Sequence, residues 1–231
     1  MSTTSEVGGL GSDAASEEFS TRLVILAGSD VDKHITSSLR LQRKREFFLG
    51  EDKHHKHVVA TLYGCEEHSH LFVLELKELK SQVESTDAIS FVDDLMSSIG
   101  ISTTEILILH GPLQAPRGHL YDPTKNYKSM LYLRTSGCGR QLGEGVERLP
   151  VGLLLTGIVA RLIAVAEMKR GSLLLLTSLK TGRASASLSL FQKQWSFIVS
   201  FLCVSISPPE DNENTHILFK SLGEADSLLY T

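Results

Sequence analysis

The sequence is short of aromatic residues, short of cysteine and without a strong charge bias. Only 6% of its 231 residues are aromatic, and the formal net charge is -4. Without a basic excess, no general affinity for nucleic acid is implied, and so few aromatic rings do not make a base-stacking surface. Its three cysteines, Cys65, Cys138 and Cys203, are far apart and odd in number. They do not read as a disulfide framework, and a reducing compartment fits them better.

Long apolar runs are missing too. "LPVGLLLTGIVARLIAVAEM" (149–168) carries Arg161 near its middle, and "WSFIVSFLCVSISPP" (195–209) reaches Pro208 and Pro209 too soon to cross hydrocarbon. No membrane span is expected. The first 20 residues lack the basic and apolar regions of a secretory signal. Rich in Ser, Gly and acidic residues, residues 1–20 are expected to be disordered.

What is present is ordinary globular material, 42% hydrophobic and 22% charged, enough for one domain with a sizeable core. "RLVILAGSD" (22–30) reads as a buried strand ending in a glycine turn, apolar on both faces. Residues 31–48 read as a helix with a basic, solvated face. "HVVATLY" (57–63), "HLFVLELK" (70–77), "TEILILH" (104–110), "MLYLRT" (130–135) and "SLLLLTSL" (172–179) read as further strands. A helix is expected over 87–100, with Ile89, Phe91, Val92, Leu95, Met96 and Ile99 on one side and Gly100 as its stop. Pro150 is expected to open another, carrying Leu153, Leu154, Ile158, Leu162 and Val165, with Lys169 and Arg170 at its end and Gly171 terminating it. Strands and helices alternate. The expected fold is a single α/β domain whose mostly parallel or mixed central sheet is flanked by helices.

Catalytic signals are weak. "KHHKH" (53–57) with Cys65, His68 and His70 is the densest set of metal-capable side chains, but it lacks zinc-ligand spacing and reads as a polar loop. In "SGCGRQLGEG" (136–145) Gly137 and Gly139 form a G-x-G whose third glycine, Gly143, comes one position late for a dinucleotide fingerprint. Gly28, Ser29 and Asp30 follow a strand, where α/β proteins usually bind ligands, although a plain glycine turn explains them as well. No nucleophile, base and orienting group come together, so neither an enzyme nor a cofactor or metal is expected. The last residues differ in kind. Leu229-Tyr230-Thr231 has a hydrophobic-Tyr-any form, ending in a carboxylate that another protein could capture. Packing of that tail on its own domain is the alternative.

These segments together resemble the proteasome assembly chaperone 1 family. "RLVILAGSD", "ILILHGP" followed by "SMLYLRTSG", "LPVGLLLTGIVARLIAVAEMKRGSLLLL" and the final "SLLYT" stand in the family's order, over about residues 20–183 and the last few. The resemblance implies a heterodimer with proteasome assembly chaperone 2, binding proteasome core-particle α subunits and promoting α-ring assembly without catalysis. It implies a chaperone domain over 21–224 and a flexible tail over 225–231. Leu229 would fill a pocket between α subunits, Tyr230 would bring its ring and hydroxyl, and the Thr231 carboxylate would meet a lysine. It further implies a cytoplasmic protein, with the nucleus or the endoplasmic reticulum also compatible. Residues 184–214 depart from the family, which carries a charged amphipathic helix there, and read as an insertion or an alternative element.

Overall fold

The computed structural model describes residues 21–49, 57–77, 85–99, 104–113, 130–150, 153, 155–179 and 185–209. Within them the apolar runs become eight strands: β1 Thr21–Ala27, β2 Leu41–Leu49, β3 His57–Cys65, β4 Leu71–Leu76, β5 Thr104–His110, β6 Met130–Arg134, β7 Val146–Arg148 and β8 Ser172–Thr177. Five helices accompany them: α1 Asp32–Ser38, α2 Ser85–Ile99, α3 Gly157–Met168, α4 Ser185–Lys193 and α5 Trp195–Leu202. One mixed sheet has the order β2-β3-β4-β1-β5-β8-β6-β7. Strands β4, β1, β5 and β8 run parallel, and β3, β2 and β6 join antiparallel at the flanks. This is the α/β architecture expected from the alternation.

The central strands explain why helices lie on both faces. Leu23, Ile25, Ile106, Ile108, Leu173 and Leu175 share one core with α2 and α3. The intervening residues Val24, Leu26, Leu107, Leu109, Leu174 and Leu176 share the other with α1, α4 and α5. Each strand therefore buries alternate residues on opposite faces, as its period of two requires. Each large side chain so buried is worth roughly 1.5–3 kcal/mol of apolar transfer. Phe91, Val92, Leu95 and Met96 face inward on α2 as expected, while Ile89 stays partly exposed.

Three expectations need correction. Residues 31–48 are not one helix: α1 ends at Ser38, Leu39 is already extended, and 41–49 is strand β2. Its basic run lies on the outer edge of the sheet, with Arg43, Lys44 and Arg45 exposed and Phe47 packed edge-on against Phe91 at 5.1 Å. Two register irregularities and these charges blunt an edge that would otherwise invite another strand. The second correction concerns Pro150. Helix α3 begins at Gly157, because Leu153 and Leu155 pack beside a separate small cluster of Leu113, Leu131 and Leu179. The third concerns the end of α3. Arg170, not Gly171, takes the left-handed conformation (φ 52°). The Arg170 N–H reaches the Glu167 carbonyl and the Gly171 N–H the Ala166 carbonyl, the paired bonds of a Schellman end. Gly100 and Leu154 lie outside the described residues.

Residues 185–202, part of the stretch 184–214 that departs from the family pattern, supply two helices that cover the second face of β1, β5 and β8. Its apolar content is core content: Phe191, Trp195, Ile198, Phe201 and Leu202 are all buried. Among the described residues no helix is long and apolar enough to cross a membrane. A left-handed arginine at a helix end carries strain that glycine lacks. Arg170→Gly should therefore raise unfolding stability by about 0.5–1 kcal/mol, measured by urea titration.

Candidate functional site

Three places in the fold bear on function: the carboxyl edge of the parallel strands, the segment that leads out of α5, and the amino edge. At the carboxyl edge, Gly28 turns the chain after β1 with φ 76° and bridges to His110 at the end of β5. Gly111 lies so close that an added Cβ would stand 2.5 Å from the Gly28 carbonyl oxygen. The Gly111 N–H donates to the Ala27 carbonyl at 3.0 Å, and the Thr177 hydroxyl at the end of β8 donates to the Gly111 carbonyl at 2.8 Å. Backbone therefore fills the space between β1 and β5 where a ligand would enter.

The loop after β1 is organised by Asp32, a residue the sequence pattern does not single out. Asp30 is exposed. The Asp32 carboxylate accepts the Gly28 N–H at 2.8 Å, the Ser29 N–H at 3.0 Å and the Ser29 hydroxyl. Asp32 opens α1 and reaches back to N–H groups of the loop before it, while Val31 at the cap position offers no side-chain cap. Burial nevertheless pushes the Asp32 carboxyl up to about 7; hydrogen bonds from Ser29 and Gly28 oppose the rise and the charge of Glu75 adds to it. Burial also lowers the pKa of the His110 imidazole, whose Nδ1 donates to the Gly111 carbonyl at 2.7 Å. Ser29 and Asp32 are thus engaged with each other and with backbone.

The other candidates separate. Cys65 is buried beside α1, His68 is half-buried and His70 exposed before β4, and residues 53–56 lie outside the described residues. No group of metal-capable side chains forms among the described residues. Gly137 is wedged against backbone: a Cβ there would stand 2.2 Å from the Arg170 carbonyl oxygen. It serves packing against the end of α3, not phosphate. Leu229, Tyr230 and Thr231 lie outside the described residues.

The approach to that tail is described as far as Pro209. After α5 the chain doubles back as a strap held by three side chains. Trp195 Nε1 donates to the Ile206 carbonyl at 2.9 Å and Gln192 Nε2 to the Pro209 carbonyl at 2.7 Å. His34 Nε2 donates to the Ser207 carbonyl at 2.8 Å, which places the proton on that nitrogen. The His34 ring meets Trp195 edge-on at 5.3 Å. The strap is thereby tied to α1, α4 and α5 together.

The whole is a one-sheet α/β domain whose usual ligand edge is closed. Its fold is shared with solved structures. An archaeal proteasome activator, PbaB of Pyrococcus furiosus, is similar with a TM-score of 0.55 at 14% identity, over 90% of this chain and 94% of PbaB. PbaA of the same organism, described as an archaeal homolog of proteasome-assembly chaperone, is similar with a TM-score of 0.54 at 10% identity, over 92% and 89% of the two chains. A proteasome-assembly chaperone homologue of Mycobacterium tuberculosis is similar with a TM-score of 0.52 at 11% identity, over 88% and 94%. No family model matches the chain. No curated protein matches it in sequence.

Two predictions follow from the geometry. A carboxyl raised from 3.8 to about 7 keeps a proton in the folded chain that the unfolded chain has released, so it makes stability fall as pH rises through that window. Asp32→Asn should lack that slope, and urea titrations of both proteins across the window should show their stabilities converging or crossing as pH rises. Trp195→Phe leaves a smaller aromatic ring in the buried site and deletes the donor to Ile206. It should lower stability by about 1–3 kcal/mol and speed proteolysis after residue 203.

Proposed function

We propose that the chain is a proteasome assembly chaperone, not an enzyme, that pairs with proteasome assembly chaperone 2 and engages α subunits of the proteasome core particle to promote α-ring assembly. The observation that carries this reading is the likeness of nearly the whole chain to nearly the whole of three proteins described as proteasome activators or assembly-chaperone homologues. The ordered family resemblance and the Leu229-Tyr230-Thr231 ending support it from the sequence side. In this reading the domain is a carrier. The tail is the ligand, and its site lies on the partner.

The strap gives the carrier a mechanical role. It delivers the chain at Pro209, and the 22 residues from there to Thr231 (231 − 209 = 22) span at most about 75 Å. A tail anchored at one end searches a bounded volume, which raises its effective concentration at a nearby pocket. Leu229 then fills an apolar pocket, Tyr230 adds a rigid ring with a hydroxyl, and the terminal carboxylate pairs with a cationic side chain. The protein would work in the cytoplasm, where core particles are assembled, with the nucleus and the endoplasmic reticulum membrane surface as further stations.

The test is co-purification of the tagged full chain with identification of its partners by mass. Proteasome α subunits and a second chaperone chain are expected. Deleting residues 229–231 should reduce recovery of α subunits at least about tenfold, the effect of losing one buried anchor of 1.4 kcal/mol or more, while recovery of the partner chaperone stays unchanged. Full recovery of α subunits by the truncated chain would remove the tail from the mechanism. Absence of any proteasome subunit would remove the function.

A further inference from the structure

The strap carries a chemical feature that the chaperone reading does not use. Of the six prolines in the chain, Pro208 alone follows a serine or threonine, and that residue is Ser207. Both are exposed, in a stretch that is neither helix nor strand from 205 to 209. A residue before proline is pushed towards extended backbone. Three side chains grip this stretch, and each grips a carbonyl: Trp195 that of Ile206, His34 that of Ser207 and Gln192 that of Pro209. These bonds hold the backbone and leave the Ser207 hydroxyl unused, since it makes no hydrogen bond among the described residues.

The elements that hold the strap offer it little negative charge. His34 stands against the Ser207 carbonyl at 2.8 Å, and Lys33, the residue before it on α1, is exposed. On α4, Gln192 is neutral, and the exposed Lys193 ends the helix. Helix α5 and the strap from 203 to 209 carry no charged residue. The acidic residues near α1 are Asp30, exposed in the loop before it, and Asp32, turned back onto Gly28 and Ser29. An anionic group placed on the Ser207 oxygen therefore comes to lie beside the His34 imidazole.

We propose that Ser207 is a phosphorylation site for a proline-directed protein kinase, and that the phosphorylated strap is latched to α1 through His34. Such a kinase selects proline after the acceptor because proline brings no backbone N–H, which any other residue would leave unpaired there. Ile206 is half-buried and Pro209 buried, so the kinase engages the strap when its three bonds open. In the step, the Ser207 Oγ attacks the γ-phosphorus of a nucleoside triphosphate held by the kinase. An Oγ–P bond forms, the bond from that phosphorus to the bridging oxygen breaks and the nucleoside diphosphate leaves. The hydroxyl proton passes to a carboxylate of the kinase. The phosphoryl group adds a charge of about −1.5 to −2 and three acceptor oxygens. When the strap closes again, His34 exchanges a neutral bond to a carbonyl for a charge-assisted one to phosphate. The site belongs to the strap and does not depend on proteasome assembly.

The full chain is incubated with a purified mitogen-activated protein kinase and MgATP, and the product is read by intact mass and peptide mapping. One phosphate is expected, on Ser207. Ser207→Ala should take up none, and Pro208→Ala, which keeps the hydroxyl, should be modified at least about tenfold more slowly. Trp195→Phe, which loosens the strap, should be modified faster than the natural sequence. Limited proteolysis after residue 203 then reads the latch. The phosphorylated chain should be cut about two- to fivefold more slowly than the unmodified one, the range of an exposed charge pair. His34→Gln keeps a donor without the charge, and there phosphorylation should give no such slowing. No phosphate on Ser207, equal rates for Pro208→Ala and the natural sequence, a phosphorylated strap cut as fast as the unmodified one or faster, or equal slowing in His34→Gln would overturn the proposal.

Discussion

The rest of the structure depends on one constraint: the parallel strands β1, β5 and β8 are apolar on both faces. A sheet of this kind cannot leave either face to water, since each carries Leu, Ile and Val in alternation. The chain must supply two helical layers, and it does so from widely separated segments. Helices α2 and α3 close one face, and α1, α4 and α5 close the other. The Ser-containing stretch from 185 to 202 belongs to the domain for this reason. Without it α1, of seven residues, would be the one described helix against the second face of the central strands.

The same economy shapes the edges. In an open α/β sheet the carboxyl ends of the strands usually hold a ligand where neighbouring connections diverge. Here Gly28 and Gly111 bring two backbones together at that place, and Asp32 ties the loop shut with three hydrogen bonds. A carboxyl with a raised pKa in such a position is a familiar mark of an active site. At Asp32 its acceptor positions are already used by the chain's own backbone and Ser29, so the shift reports burial in a structural loop. The outer edge at β2 is handled differently, by exposed basic side chains and broken register. These closures occupy the carboxyl edge and the outer edge of the sheet with the chain's own groups.

Much of this was legible in the residues. The buried strands at 22–30, 104–110 and 172–179 announce themselves because continuous apolar runs bounded by Gly, Pro or Ser have few other homes. The helix at 87–100 has a clear apolar stripe. The reading failed where local pattern and tertiary need diverge. Residues 41–49 carry charges that suit a helix surface, yet they complete a sheet edge, and nothing short-range distinguishes the two. Pro150 is an apt helix opener, but Leu153 and Leu155 were needed by a separate cluster. The role of Asp32 is hidden for the same reason. Two acidic residues flank Val31, and only the turn geometry shows that Asp32 points back at Gly28 and Ser29. The strap was invisible because its bonds join residues from 11 to 173 positions apart.

That strap connects the architecture to the proposed role. Trp195 is a core residue of α5 and also the donor that holds Ile206; Gln192 on α4 holds Pro209; His34 on α1 holds Ser207. The three helices that cover the second face are the ones that direct the outgoing chain. Packing of that face and direction of the chain up to Pro209 are therefore one event: the side chains that bury themselves against the sheet also hold the strap, so a loosened helix layer would release it. Direction of the outgoing chain, set at Pro209, is what the second helical layer adds to its packing role.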